Sequence, residues 1–272
     1  MRERQANRRI RLLVAIFALA FAAVLGRAVW LQGVQAASLG GLAHRQQHET
    51  ETIAASRGTI YDRSGVPLAL GEQTSTVYAD PRQVRQPLAV ARAAHEILGV
   101  DPNDLYASLL RRDTSFVYVE RFADPKAAAK LMAKHFAGVN FYPEEKRFYP
   151  GNTVGAQVIG YAGTDGNGLS GLEYEYQKDL AGRPGAKTIV RTPQGQAVDV
   201  IKNTPPRQGK AVFTTLDRTI QAYAESVLRQ TVAKWRAKDA VAVAIDPSTG
   251  GVLAMAQAPG YNANNANRVR QS

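Results

Sequence analysis

Hydrophobic and polar positions divide the chain into blocks of different period. Residues 12–31 are almost continuously apolar, broken only by Gly26 and Arg27 late in the run. As a helix these 20 residues would span about 30 Å, the depth of a bilayer core. A spacing of three and four returns at residues 217–237, where Ile220, Ala224, Val227, Leu228, Thr231 and Trp235 share one helical face. Three shorter helices are predicted by their punctuation. Pro87 opens one that Gly99 closes. Asp101-Pro102 starts a second, with Leu105, Leu109 and Leu110 on one face. Asp124-Pro125 starts a third, alanine-rich and ending at Gly138. Proline at the first helical position and aspartate before it answer the unpaired amides of a first turn.

Strand-like runs lie at residues 58–62, 66–70, 74–78, 115–120, 139–142 and 146–149, with a β-rich section at 186–213. Asp62-Arg63-Ser64-Gly65 and Tyr149-Pro150-Gly151-Asn152 read as turns, the first because aspartate can bond its own backbone and glycine accepts a positive φ. Residues 172–180 read as a helix ended by Gly182, and residues 34–51 as a polar helix or linker. The runs 241–245 and 252–255 flank a turn at Asp246-Pro247-Ser248-Thr249-Gly250, the pattern of a hairpin; residues 262–272 read as loop. The whole predicts an α+β fold. The hairpin is apolar on both faces, and a lone pair of strands is marginally stable and prone to edge aggregation. The expectation is a chain cut at the beginning of a larger domain.

Charge changes this picture at the N-terminus. The net charge is +11, and the first 11 residues carry five arginines against Glu3. A basic flank before an apolar run predicts a cytoplasmic N-terminus and an exported remainder. Arg27 lies near one end of the run, where its side chain can reach the interface. Its cost, about +3 kcal/mol at a helix centre, is opposed by about −0.3 to −0.6 for each strongly apolar residue. The rival is a cleaved signal peptide with Val34-Gln35-Ala36 at the processing site. The uncleaved anchor is preferred, because the run is at the upper length for a signal peptide. The remaining positive charge fits a solvated basic surface, or affinity for an anionic polymer or lipid head group. Nucleic acid is not expected, since no binding motif occurs. Cysteine is absent, so disulfides and thiolate metal sites are excluded.

No catalytic constellation stands out. The chain has no S-x-x-K, S-x-N, K-[ST]-G, G-x-S-x-G or H-E-x-x-H; Lys187-Thr188-Ile189 comes nearest and fails at its third position. His44 and His48, four apart, would share a helical face but lack a third ligand, and solvent-facing histidines are the preferred reading. The glycine-rich residues 163–171 have no P-loop lysine, and their acid disfavours phosphate, so they read as a structural loop. Arg57, Asp62 and Arg63 suit ion pairs with one another or with Glu173. If buried, such a network is costly to break yet adds little net stability; its use is to fix how strands dock.

These residues carry a family resemblance. Arg57-Gly58-Thr59-Ile60-Tyr61-Asp62-Arg63-Ser64-Gly65 resembles the first N-terminal motif of class B penicillin-binding proteins, R-G-x-I-x-D-R-x-G. Arg147-Phe148-Tyr149-Pro150-Gly151 resembles their second, R-x-Y-P, and Gly168-Leu169-Ser170-Gly171-Leu172-Glu173 their third, G-x-x-G-[LIV]-E. Thr215-Leu216-Asp217 with Ile220-Gln221, and then residues 244–256, resemble the entry to the penicillin-binding domain. Departures are peripheral: Gly251 stands where glutamate is frequent, Gln157 where histidine is common, and Asn262-Ala263-Asn264 replaces aspartate-proline-asparagine.

The resemblance implies a basic tail at 1–11, a single transmembrane anchor at 12–31, a linker or helix at 32–56, an elongated pedestal at 57–213 and the start of a transpeptidase domain at 214–272. It implies a serine-type D,D-transpeptidase that cross-links stem peptides and binds β-lactams through motifs beyond this C-terminus. It gives these residues no catalytic role and no metal or organic cofactor. Arg57, Gly58, Asp62, Arg63, Gly65, Arg147, Tyr149, Pro150, Gly151, Gly168, Gly171 and Glu173 are implied to knit the pedestal. The septal division branch is the first choice and the elongation branch the second, with a SEDS-type glycosyltransferase and division proteins as partners. A membrane-tethered scaffold without chemistry is the competing class.

Overall fold

The computed structural model describes residues 2–30, 48–191 and 197–266. Two compact units divide the chain, one of residues 1–53 and 186–204, the other of residues 54–185 and 205–272.

In the first unit a helix runs over Arg2–Val29, so the basic tail and the apolar run are one continuous helix. Its apolar side chains stand in the open, Phe17 and Leu19 about three-quarters exposed (74% and 75%). Among the described residues no helix is long and apolar enough to cross a membrane, so the structure does not establish the predicted span. A three-stranded sheet places Gly185–Arg191 between His48–Ile53 and Ala197–Thr204. The helix considered for residues 34–51 is therefore corrected at its end: His48 begins a strand. His44 and the rest of that segment lie outside the described residues.

The second unit is a mixed α+β layer. Strand β1 (Ile60–Tyr61) pairs antiparallel with β2 (Pro67–Ala79) across the turn at Asp62-Gly65. Helices α1 (Pro87–Leu98) and α2 (Pro102–Leu109) precede β3 (Val117–Ala123); α3 (Pro125–Met132) precedes β4 (Val139–Phe148). Both β3 and β4 pair antiparallel with β2, which lies between them. Short helices α4 (Ala156–Ile159), α5 (Gly171–Glu175) and α6 (Gln177–Leu180) lead to β5 (Val212–Phe213), which pairs parallel with β1. Helix α7 (Arg218–Trp235), the hairpin β6 (Ala240–Ile245) with β7 (Val252–Ala258), and a 3-10 turn at Ala263–Asn265 within the stretch expected as loop complete the described chain.

Local chemistry sets most boundaries. The Asp101, Asp124 and Asp217 carboxylates each accept two backbone N–H bonds of the turn that follows, and Gly99 closes α1 in the left-handed region. Four expectations are corrected. The runs 66–70 and 74–78 form one strand through Gly71, and 139–142 and 146–149 form another, because β2 and β4 pair without a break from Leu70↔Phe148 to Ala79↔Val139. Helix α3 stops at Met132, where His135 takes a positive φ of 51°, well before Gly138. The helix at 172–180 divides at Tyr176 into α5 and α6.

Two cores result. Val77, Val84, Val90, Leu105, Leu109, Leu131 and Val139 pack between helices α1–α3 and one face of the sheet. Ile60, Leu68, Tyr149, Ile159, Leu180, Leu216 and Ala263 form the second, bringing the residues of the three motifs onto one apolar floor.

Candidate functional site

The centre of the second core is a buried carboxylate. Glu173 lies in the first turn of α5 with no exposed surface. Arg57, just ahead of β1, donates from Nε to its Oε2 at 2.6 Å, and Arg147, near the end of β4, donates from Nε to its Oε1 at 2.6 Å. Both guanidinium side chains are 5% exposed. Arg57 also donates from Nη2 to the Glu173 carbonyl at 2.9 Å, and from Nη1 to the Gly166 carbonyl and Gln177 Oε1, both at 2.8 Å. The Tyr149 hydroxyl donates to Glu173 Oε1 at 3.4 Å and accepts from the Ala162 amide at 2.7 Å. Burial first, and then the Glu173 charge, push the Tyr149 phenol up, so it stays protonated. One carboxylate thus sits between two guanidinium groups, and the terminal nitrogens of Arg147 are buried without a hydrogen-bond partner.

Glycines make this convergence possible. A Cβ on Gly58 would stand 2.0 Å from the Lys210 carbonyl oxygen, and one on Gly168 2.0 Å from that of Glu173. Both neighbours are backbone, so only glycine fits without moving the chain. Gly171 has a φ of 57° against the Val158 carbonyl, and the Gly65 φ of 83° closes the first turn. Pro150 and Gly151 occupy the centre of a turn closed by the Asn152 amide on the Tyr149 carbonyl at 2.9 Å.

The structure separates Asp62 and Arg63 from the ion-pair network the sequence proposed for them. Asp62 is a turn cap: its Oδ1 accepts from the Ser64 amide (2.8 Å), the Ser64 hydroxyl (2.7 Å) and the Val66 amide (2.9 Å), while Oδ2 faces the Arg218 amide at 3.4 Å. Burial pushes its carboxyl up, but the bonds from Ser64, Val66 and Arg218 outweigh that and hold it below the usual carboxylate range. A lowered folded pKa contributes stability present above the unfolded value and lost as pH falls through the folded one. Asp62→Asn should therefore cost about 1–2 kcal/mol at pH 7. The gap from wild type should narrow from about pH 4 downward in urea unfolding; a gap constant from pH 7 to pH 2 would refute the assignment. Arg63 is exposed, its amide bonded to the Leu216 carbonyl at 2.9 Å. It lines a cleft of about 350 Å³ with Phe213, Thr215 and Asp246.

A second buried cluster escaped the sequence reading. Of the apolar stripe on helix α7, Val227 and Trp235 are 42% and 71% exposed. Gln221 and Glu225, one turn apart, are buried instead. Glu225 Oε1 accepts from the Gly155 amide at 2.7 Å and from Gln221 Nε2 at 2.8 Å. Gln221 completes the link by accepting from the Met255 amide at 2.8 Å and donating to the Met255 carbonyl at 3.0 Å. Asn264 does the same for Tyr149, accepting from its amide at 3.0 Å and donating to its carbonyl at 2.9 Å. The one available signal was the i, i+4 Gln–Glu pair. Among the described residues no group of histidine, aspartate or glutamate side chains could hold a metal ion.

Residues 52–214 match the family model described as the penicillin-binding protein dimerisation domain. The chain belongs to that family, and the class B resemblance drawn from its three motifs holds. It is 33% identical over 268 residues to a probable peptidoglycan D,D-transpeptidase PenA of Neisseria meningitidis, covering 97% of this chain and 46% of that one. It is 30% identical over 263 residues to the peptidoglycan D,D-transpeptidase FtsI of Escherichia coli, covering 94% and 45%. The chain thus spans about half the length of the curated relatives it matches. Among solved structures it is similar to a peptidoglycan synthetase of Bifidobacterium adolescentis, with a TM-score of 0.55 and 25% identity over 80% of this chain and 45% of that one. The penicillin-binding protein PBP2 in a complex with MreC from Helicobacter pylori shares the fold, with a TM-score of 0.63 at 22% identity over 80% and 44%.

Proposed function

We propose that this chain is the anchor and pedestal of a membrane-bound peptidoglycan D,D-transpeptidase that acts in septal wall synthesis. The observation that carries the reading is the convergence of all three motifs on one buried carboxylate, in a chain 33% identical to a transpeptidase along nearly its whole length. The chemistry follows from the class. A serine hydroxyl attacks the carbonyl of the D-alanyl-D-alanine bond and the terminal D-alanine leaves. An amine of a neighbouring stem peptide then attacks the acyl-enzyme, closing the cross-link and freeing the serine. None of the residues described above performs these steps. They hold the catalytic domain at a set height and angle. The apolar run at 12–31 behind its arginines supports a single-pass anchor with the N-terminus in the cytoplasm.

A polytopic glycosyltransferase of the SEDS type and division proteins are the partners this reading assigns. The elongation branch is kept as the second reading, favoured by the shared fold with PBP2, which is found in a complex with MreC. The test is to sequence the gene beyond Ser272 and label its full product with a fluorescent penicillin. A frame carrying S-x-x-K and then S-x-N and K-[ST]-G, with labelling at that serine, is expected. A stop codon directly after Ser272, or a full product that no penicillin labels, would overturn the proposal in favour of a non-catalytic scaffold.

A further inference from the structure

The face of the β2–β3–β4 sheet opposite helices α1–α3 carries aromatic rings where a second layer would sit. Tyr78 on β2 stacks on Phe116 (centroids 5.1 Å apart, planes 21°) and lies 5.8 Å from Tyr142 on β4. Tyr118 on β3 meets Phe116 edge-on at 4.8 Å. Phe116 and Tyr118 are 41% and 48% exposed. The neighbouring backbone departs from regular pairing. The register of β3 on β2 slips between Ser75 and Val77 and again between Val77 and Tyr78. Phe122 within the irregular stretch has a φ of 58°, a conformation that a bulky side chain rarely adopts. Bulges of this kind re-aim side chains, and strained residues of this kind gather at ligand clamps. Here the Arg121 guanidinium lies over both Tyr118 (5.4 Å) and Phe122 (4.9 Å) and is tied to Glu144, while Lys146 approaches Phe122 at 6.0 Å.

This face carries no surplus of positive charge, and Glu72 stands opposite Lys146 in the β2–β4 register. Arg121 pairs with Glu144, and Lys146 acts on Glu120. A nucleic acid or an anionic lipid would need surplus positive charge here. A neutral chain of hydroxylated rings would not: its apolar ring faces suit tyrosine and phenylalanine, and its hydroxyls suit an arginine–carboxylate pair held ready between them.

We propose that this aromatic face is a binding platform for a neutral glycan strand. The inference does not rest on the transpeptidase reading, because binding is read without any acylation. The test titrates the full chain in detergent micelles with chitotetraose, a neutral oligosaccharide, by isothermal calorimetry. Saturable binding is expected that changes little between 50 and 300 mM salt and weakens about tenfold in Tyr118→Ala, the loss of one stacked ring. Tyr223→Ala, at a more open tyrosine on α7 that is 73% exposed, should bind as wild type does. No saturable binding, a steep salt dependence, or equal weakening in both variants would overturn the proposal and leave the face to a protein partner.

Discussion

Glu173→Ala should lower the unfolding free energy of the full chain by about 3–5 kcal/mol, the range for breaking a buried ion pair by removing one partner. For a unit of this size that corresponds to a midpoint roughly 10 °C lower by circular dichroism. The reason lies in what is left behind. Arg57 and Arg147 are each 5% exposed, and Glu173 is the carboxylate that both of them bond. Without it two positive charges face each other in a closed core, and Tyr149 loses the acceptor of its hydroxyl proton. Arg57→Ala should cost less, because Glu173 keeps Arg147 and stays charge-matched. Replacing all three charges with methionine should restore part of the loss, since apolar side chains of similar volume often do as well as a buried ionic network. A loss below about 1 kcal/mol in Glu173→Ala would mean that water reaches the carboxylate, and the cluster would then not be a determinant of the fold.

What could be read from the sequence, and what could not, follows the distance over which each feature is decided. Helix starts at Pro87, Pro102 and Pro125 and the turn at Asp62 are settled within four residues, so composition alone predicts them. The union of two strand candidates into β2 comes from its unbroken pairing with β4, in which Gly71 lies opposite Arg147, and the adjacent Glu145 is bonded to the Arg57 amide. No local pattern contains that. Family motifs gave Arg57, Arg147 and Glu173 as a set and turn chemistry gave Asp62 as its own cap, yet nothing in the spelling of the first motif tells that Arg63 points to solvent. Helix α7 shows a further limit. Periodicity finds its apolar stripe, but the fully buried positions are Gln221 and Glu225, whose polar atoms meet backbone amides of two other segments.

That docking face carries the second large effect. Glu225→Ala should cost about 3 kcal/mol in urea unfolding, because it leaves the buried Gly155 amide without its acceptor and Gln221 Nε2 with only the Met255 carbonyl. Glu225→Gln keeps an acceptor oxygen at the same reach and should cost about 1 kcal/mol. Hydrogen exchange locates the effect: the Gly155 amide should lose protection in Glu225→Ala and keep most of it in Glu225→Gln. Unchanged protection at Gly155 in Glu225→Ala would show that the bond does not hold that loop. The distinction matters for function more than for stability. Gly155 lies four residues after the second motif, Gln221 and Glu225 belong to α7, and Met255 belongs to the hairpin beyond it. One buried carboxylate and one amide, with Asn264 on Tyr149, therefore fix how α7 and the hairpin leave the motif core. Under the proposed function, which puts the chemistry beyond that point, loosening Glu225 should misdirect the catalytic domain while leaving its own residues untouched.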